Sequence, residues 1–169
     1  MPASIAPAVF RFDAASDLPN HPRWPLLLYR GALRADADGA AARLGANGWG
    51  GAWVDGVFPY PHYHPNAHEV LAVVAGTAAL RFGGDAGEEV RVEAGDVAVL
   101  PAGTGHQRIG ASPDFRVVGA YPGGQHDFVT RRPDDGDPPA EREAMAEVAR
   151  PTSDPLYGPD GPLLDLWPA

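Results

Sequence analysis

The 169-residue chain contains no cysteine and, because all 13 basic residues are arginines, no lysine. The first absence excludes a disulfide framework, a zinc ribbon, an iron-sulfur cluster and a thiol nucleophile, and leaves the redox compartment open. The second excludes Schiff-base chemistry and the phosphate-gripping lysine of P-loop proteins. Serine is scarce, and Ser4, Ser16, Ser112 and Ser153 sit in no G-x-S-x-G context, so there is no esterase elbow. Long apolar runs are missing as well. The longest apolar-leaning stretch, "VLAVVAGTAAL", falls short of the ~18 residues that suggest a membrane span. The opening "MPASIAPAVFRF" has neither a basic start nor a sustained apolar region before a cleavage site. A soluble cytoplasmic protein with no membrane partner is the expectation.

Positive charge is also in short supply. A formal net charge of -9 argues against nucleic-acid binding, which relies on basic patches for phosphate contacts. The acidity is concentrated at one end: residues 133–169 hold nine acidic side chains against two arginines. Glycine and proline are abundant, at 21 and 19 residues, and in an apolar-poor chain they would signal disorder. Here 44% of residues are hydrophobic. Frequent turns between short apolar runs read instead as an all-β domain, and the length suits a single domain.

The clearest strands lie between residues 50 and 122: "HEVLAVVAG", "TAALRFGG", "EEVRVEAG", "DVAVLPAG" and "DFRVVGAYPGG". Apolar residues at every position from Val70 to Val74 imply a strand covered on both faces. Before this core, residues 1–46 form an arm with an edge strand in "PLLLYRGAL" and a short helix in "DADGAAARLGANG", for which Asp36 or Asp38 is the candidate N-cap. The core spans 47–122. Residues 123–169 are read as a C-terminal strand, a helix in "AEREAMAEVAR" with Ala144, Met145 and Val148 on one face, and an acidic tail. That tail, "PTSDPLYGPDGPLLDLW", carries too many prolines for a helix or central strand, yet its leucines, Tyr157 and Trp167 predict that it packs along a surface.

Three of the six histidines fall within "HYHPNAH", residues 62–68. His62 and His64 are two apart, so on a strand they project from one face. Pro65 and Asn66 favour a corner before the next strand. If Glu69 faces inward there, Leu71 and Val73 do too, and His68 faces away. A second cluster, "GDVAVLPAGTGHQ", ends a strand at Pro101 and places His106 after a glycine-permitted tight path.

Together the two clusters resemble the paired motifs of the cupin superfamily. The first reads Gly56, five residues, His62-x-His64, four residues, Glu69, six residues, Gly76; the second reads Gly95, five residues, Pro101-x-Gly103, two residues, His106. Gly110 stands where the family often has Asn, which bears on the following turn. The flanks "PLLLYRGAL", "AYPGGQHDF" and "DPLYGPDGPLLDLW" are similar to those of a small bacterial group, the YjlB-like cupins. The resemblance implies a cupin (RmlC-like) double-stranded β-helix, a jelly-roll barrel with short flanking helices. It also implies one divalent transition metal, iron, manganese, nickel or copper with zinc possible, held by His62, His64, Glu69 and His106. His68 and His126 have no motif position and are read as surface or hydrogen-bonded residues.

Four ligands on an octahedral ion leave two positions open. The first functional expectation is therefore a dioxygenase of a small organic acid or enol, with Tyr60, Gln107 and His126 as acid-base candidates because they flank the motifs. Alternatives are an isomerase or epimerase on a sugar-like substrate, or a non-catalytic module for a small ligand or metal. Cupin barrels commonly pair, so a homodimer is expected.

Overall fold

A strand that is apolar at every position needs cover on both sides. In the computed structural model, which describes residues 3–15 and 17–169, that cover comes from a second sheet on one face and from a helix and the tail on the other. The elements run β1 Ala8–Phe10, β2 Leu26–Tyr29, α1 Ala40–Ala46, β3 Trp49–Asp55, β4 Glu69–Ala75, β5 Thr77–Phe82, β6 Glu88–Glu93, β7 Val97–Leu100, β8 His106–Ala111, β9 Arg116–Pro122, α2 Pro138–Ala146 and α3 Leu163–Leu166. The strands form a six-stranded sheet ordered β1-β2-β7-β4-β9-β3 and a three-stranded sheet ordered β6-β5-β8. All their pairings are antiparallel.

Alternation along the strands sorts the core into two layers. Leu26, Leu28, Leu71, Val73, Leu100 and Val117 face the small sheet's Leu80, Phe82, Val90 and Val92. Leu27, Tyr29, Val70, Ala72, Val99 and Ala120 point the other way, against Leu44 of α1 and Leu156, Leu163 and Trp167 of the tail. Gly76 turns β4 into β5 at φ +73°, where a Cβ would lie 2.5 Å from Ser112 Oγ and 2.7 Å from the Phe115 backbone. That fixed motif position is a steric requirement.

Several expectations are corrected. "PLLLYRGAL" supplies β2, but β2 is internal, because the three-residue β1 pairs along its far side. A segment as short as "AVF" carries no readable period. Helix α1 starts with Gly39 at its N-cap and has no side-chain cap, so neither Asp36 nor Asp38 plays that part. Asp36 instead accepts a turn hydrogen bond at its carbonyl from the Gly39 N–H (3.3 Å), and the turn precedes the helix. Beyond Pro122 the described residues hold isolated bridges, such as Tyr63 with Arg131, where a C-terminal strand was expected. On α2 only Met145 of the expected face is fully buried; Ala144 is exposed and Val148 lies past the helix end.

The tail packs as expected, yet it does contain a helix, α3. Pro162 occupies its N-cap, where a missing N–H costs nothing. Trp167 is fully buried, its indole stacks on Trp24 at 5.4 Å between centroids, and its Nε1 donates to Pro25 O at 2.8 Å. Asp154 organises the same segment from a fully buried position: its carboxylate accepts from Tyr29 Oη (2.5 Å) and from the N–H groups of Leu156 (2.8 Å) and Leu163 (3.1 Å).

Candidate metal centre

Each of the four predicted ligands comes from a different local solution to one problem, which is how to aim a polar side chain into an apolar barrel. His106 opens β8 and pairs by an antiparallel bridge with His62: His62 N donates to His106 O (3.1 Å) and His106 N to His62 O (2.9 Å). His64 lies two residues on, and its carbonyl accepts from Gly103 N at 2.8 Å. Gly103 has φ +87°, a conformation that favours glycine, and a Cβ there would press on Met145 Sδ. Glu69 opens β4 and faces the same way as Leu71; His68 points to the opposite side, as expected.

These arrangements bring His62, His64 and His106 together, with one ring nitrogen of each within 4.8 Å of the others. Glu69 lies beside them: its Oε2 is 3.4 Å from His64 Nε2 and its Oε1 is 3.4 Å from His106 Nε2. All four are buried, at 4%, 7%, 4% and 2% relative exposure for His62, His64, His106 and Glu69.

The tautomers follow from the far side of each ring. Nδ1 of His62 lies 3.0 Å from Tyr60 O, that of His64 3.0 Å from Val129 O, and that of His106 3.0 Å from Thr104 O. A carbonyl only accepts, so each Nδ1 carries a proton and donates it. Three Nε2 atoms are thereby left to converge beside a carboxylate. Glu69 Oε1 is buried without a hydrogen-bond partner among the described residues. Such a centre needs positive charge, and either a proton on an imidazole or a cation can supply it.

The titration tendencies express this need. Burial, with the neighbouring His106 ring adding to it, lowers His62 to about 2. Burial also works against the charged form of His64, but the adjoining Glu69 carboxylate outweighs it and raises that histidine. Burial favours a neutral Glu69, yet the imidazoles of His64 and His106 hold it well below the usual carboxylate range. The donor set of three imidazoles and one carboxylate fits a divalent transition metal.

The cluster forms the floor of a cavity of about 430 Å³, walled by Trp53, Val57, Phe58, Leu71, Tyr121 and Phe128, with Asp55 and Arg108 also lining it. Sequence reading missed Tyr121, which is 1% exposed on β9. Its hydroxyl donates to Glu69 Oε2 at 2.9 Å and accepts from Trp53 Nε1 at 2.7 Å. It also missed Asn20, whose Oδ1 accepts from Gly105 N at 2.9 Å and braces the loop before His106.

The three acid-base candidates are corrected, since none lines the cavity. Tyr60 stacks with Phe58 and lies under the Arg132 guanidinium. Gln107 Nε2 donates to Pro59 O at 3.2 Å, on the strand face opposite His106. His126 is exposed, near Gly51. His68 is buried between Trp24 and Trp167, and its Nδ1 accepts from Ala102 N at 2.8 Å. Gly110 has open space around its Cβ position, so the departure from Asn there strains nothing.

Two antiparallel sheets with this cluster at one end define a cupin, and the model of the cupin domain matches residues 53–117. Over 151 residues the chain is 42% identical to the uncharacterized protein YjlB of Bacillus subtilis (strain 168), covering 89% of this chain and 90% of that protein. The chain belongs to the YjlB-like cupins. Among solved structures it is similar to acireductone dioxygenase from Bacillus anthracis with cadmium ion in its active center (20% identity, TM-score 0.40, 59% of this chain and 65% of that one). It is also similar to the 11S globulin from Wrightia tinctoria (18% identity, TM-score 0.40, 48% of this chain), of which it spans only 22%.

Proposed function

We propose that the chain is a metal-dependent cupin enzyme acting on a small molecule, with His62, His64, Glu69 and His106 as ligands to one divalent transition metal and oxygenation as the reaction type. The observation that carries this reading is the set of three Nδ1–carbonyl contacts, which leave three Nε2 lone pairs facing one another beside an orphaned carboxylate oxygen. When bound, the metal supplies Lewis-acid or redox chemistry at positions that four protein ligands leave open.

The chain's own residues do the rest. The carbonyls of Tyr60, Thr104 and Val129 orient the imidazoles, and the hydroxyl of Tyr121 orients Glu69. The aromatic wall places apolar surface beside the cluster, which strengthens the polar contacts buried behind it. Among the described residues no helix is long and apolar enough to cross a membrane.

Elemental mass spectrometry on untagged protein purified without added metal, beside His106→Ala, tests the reading. About one equivalent of iron, manganese, nickel or copper is expected in the original, with at least a tenfold loss of affinity in the variant. An original that holds no metal and takes up none on addition of each ion would sink it.

A further inference from the structure

Arg108 is the second residue after His106 on β8, so strand alternation turns it to the same face and about 6.8 Å further along the strand. It lines the cavity. Most arginines here have partners: Arg30 pairs with Asp96, Arg81 with Asp85 and Glu89, and Arg131 with Glu141. Others donate to backbone carbonyls, as Arg43 does to Leu156 O and Arg150 to Trp167 O. The Arg108 guanidinium has neither kind of partner among the described residues. Its backbone N–H is fixed to Phe58 O at 2.9 Å, so its placement at the wall is anchored while its charge is free.

We propose that the cavity takes a small organic carboxylate whose charged end is held by Arg108 and whose apolar body lies against Trp53, Phe58 and Phe128. A guanidinium presents a fork of donors that matches a carboxylate in two hydrogen bonds. The rest of the wall selects within the anions. Asp55 also lines the cavity, so a doubly charged phosphate would carry one charge more than a single arginine matches, beside a carboxylate, whereas a singly charged carboxylate is matched by Arg108 alone. The Asp55 carboxylate is itself engaged, its Oδ1 accepting from Gly56 N at 2.7 Å. The opposite end of the ligand then reaches the histidine cluster. Only this last placement rests on the metal-site reading; the anion contact stands without it.

Calorimetric titration tests the inference with phenylacetate, 3-phenylpropionate and hexanoate, each beside its neutral amide, on the full chain as purified and after chelator treatment. At least one acid is expected to bind about tenfold or more tightly than its amide, from one charge-assisted contact. In Arg108→Gln the preference should fall to within about twofold, while Arg108→Lys recovers part of it. Metal content, measured in parallel, should be the same in Arg108→Gln as in the original. The inference is overturned if no acid binds at about 10 mM, if acid and amide bind alike in the original, or if Arg108→Gln keeps the preference. It is overturned too if the preference vanishes on chelation, because the anion would then have been a ligand of the metal. If no metal is ever found but the acid preference depends on Arg108, the anion site stands and the metal reading falls.

Discussion

Tyr121→Phe is the substitution that most directly interrogates how the candidate metal centre is held. It deletes one oxygen and keeps the ring, which stacks on Phe128 at 4.5 Å between centroids. The lost oxygen donates to Glu69 Oε2 at 2.9 Å, a charge-assisted hydrogen bond in a fully buried setting. Hydrogen bonds to charged groups contribute about 1.5–3 kcal/mol. The other bond lost, from Trp53 Nε1, frees a donor at the cavity wall where water can reach it, so it adds little. For a chain of this size each kcal/mol corresponds to roughly 2–4 °C, which predicts a Tm lower by about 3–12 °C in metal-free protein. In addition, Glu69 loses the group that aims its carboxylate, and loss of such an orienting partner typically weakens metal binding about 10- to 100-fold. Differential scanning calorimetry and a metal titration against a competing chelator read the two effects separately. A variant with Tm within about 1 °C of the original and affinity within about twofold would refute the argument that Tyr121 positions Glu69.

Acidification offers another test. Burial lowers His21 to about 4 and His68 to about 3, each with a cationic or imidazole neighbour adding to it. Their unfolded forms take up protons below about 6.5 while the folded forms do not. Their contribution to stability is thus fully present above that value and lost as pH falls toward the folded values. His62, lowered as well, adds to this loss in metal-free protein, whereas the stability contributed by the raised His64 is present below about 6.5 and is lost above it. The net expectation is a loss of at least about 3 kcal/mol between about pH 6.5 and about pH 5, read as a falling urea midpoint; a midpoint flat over that range contradicts it. A homodimer is the other expectation, with the short β1 as a free edge and Val9 exposed at 43%. Light scattering that returns the mass of one chain would rule it out.

Which parts of this molecule can be read from the chain depends on whether a fixed spacing or a long-range contact sets them. His62, His64, Glu69 and His106 are legible because strand period and turn glycines fix their offsets, and the folded chain does bring them together. Proximity in sequence is a poor guide beyond that. Gln107 adjoins His106 and for that reason faces away, whereas the same alternation places Arg108 at the cavity. Tyr121 was hidden because a tyrosine in "VVGAYPGG" has no partner until β9 is laid beside β4. The tail misled in a different way. Counting prolines ruled out a helix, but proline is excluded only from a helix interior, and Pro162 sits at the N-cap of α3.

The residues matched by the cupin model contain all four candidate ligands, yet they do not contain everything that orients them. His62 and His106 are set locally, each by the carbonyl two residues before it. His64 is not, because its Nδ1 partner is Val129 O, beyond the last barrel strand. That segment is pinned by Asn66, whose Nδ2 donates to Asp127 O (3.0 Å) and whose Oδ1 accepts from Val129 N (2.8 Å), and by the bridge between Tyr63 and Arg131. It also supplies Phe128, which packs on the edge of His64 and on the face of Tyr121. One short post-barrel stretch therefore fixes the ring of His64, supports the tyrosine that aims Glu69 and closes the cavity wall. The candidate ligands belong to the barrel, whereas the contacts that orient them are shared with its flank.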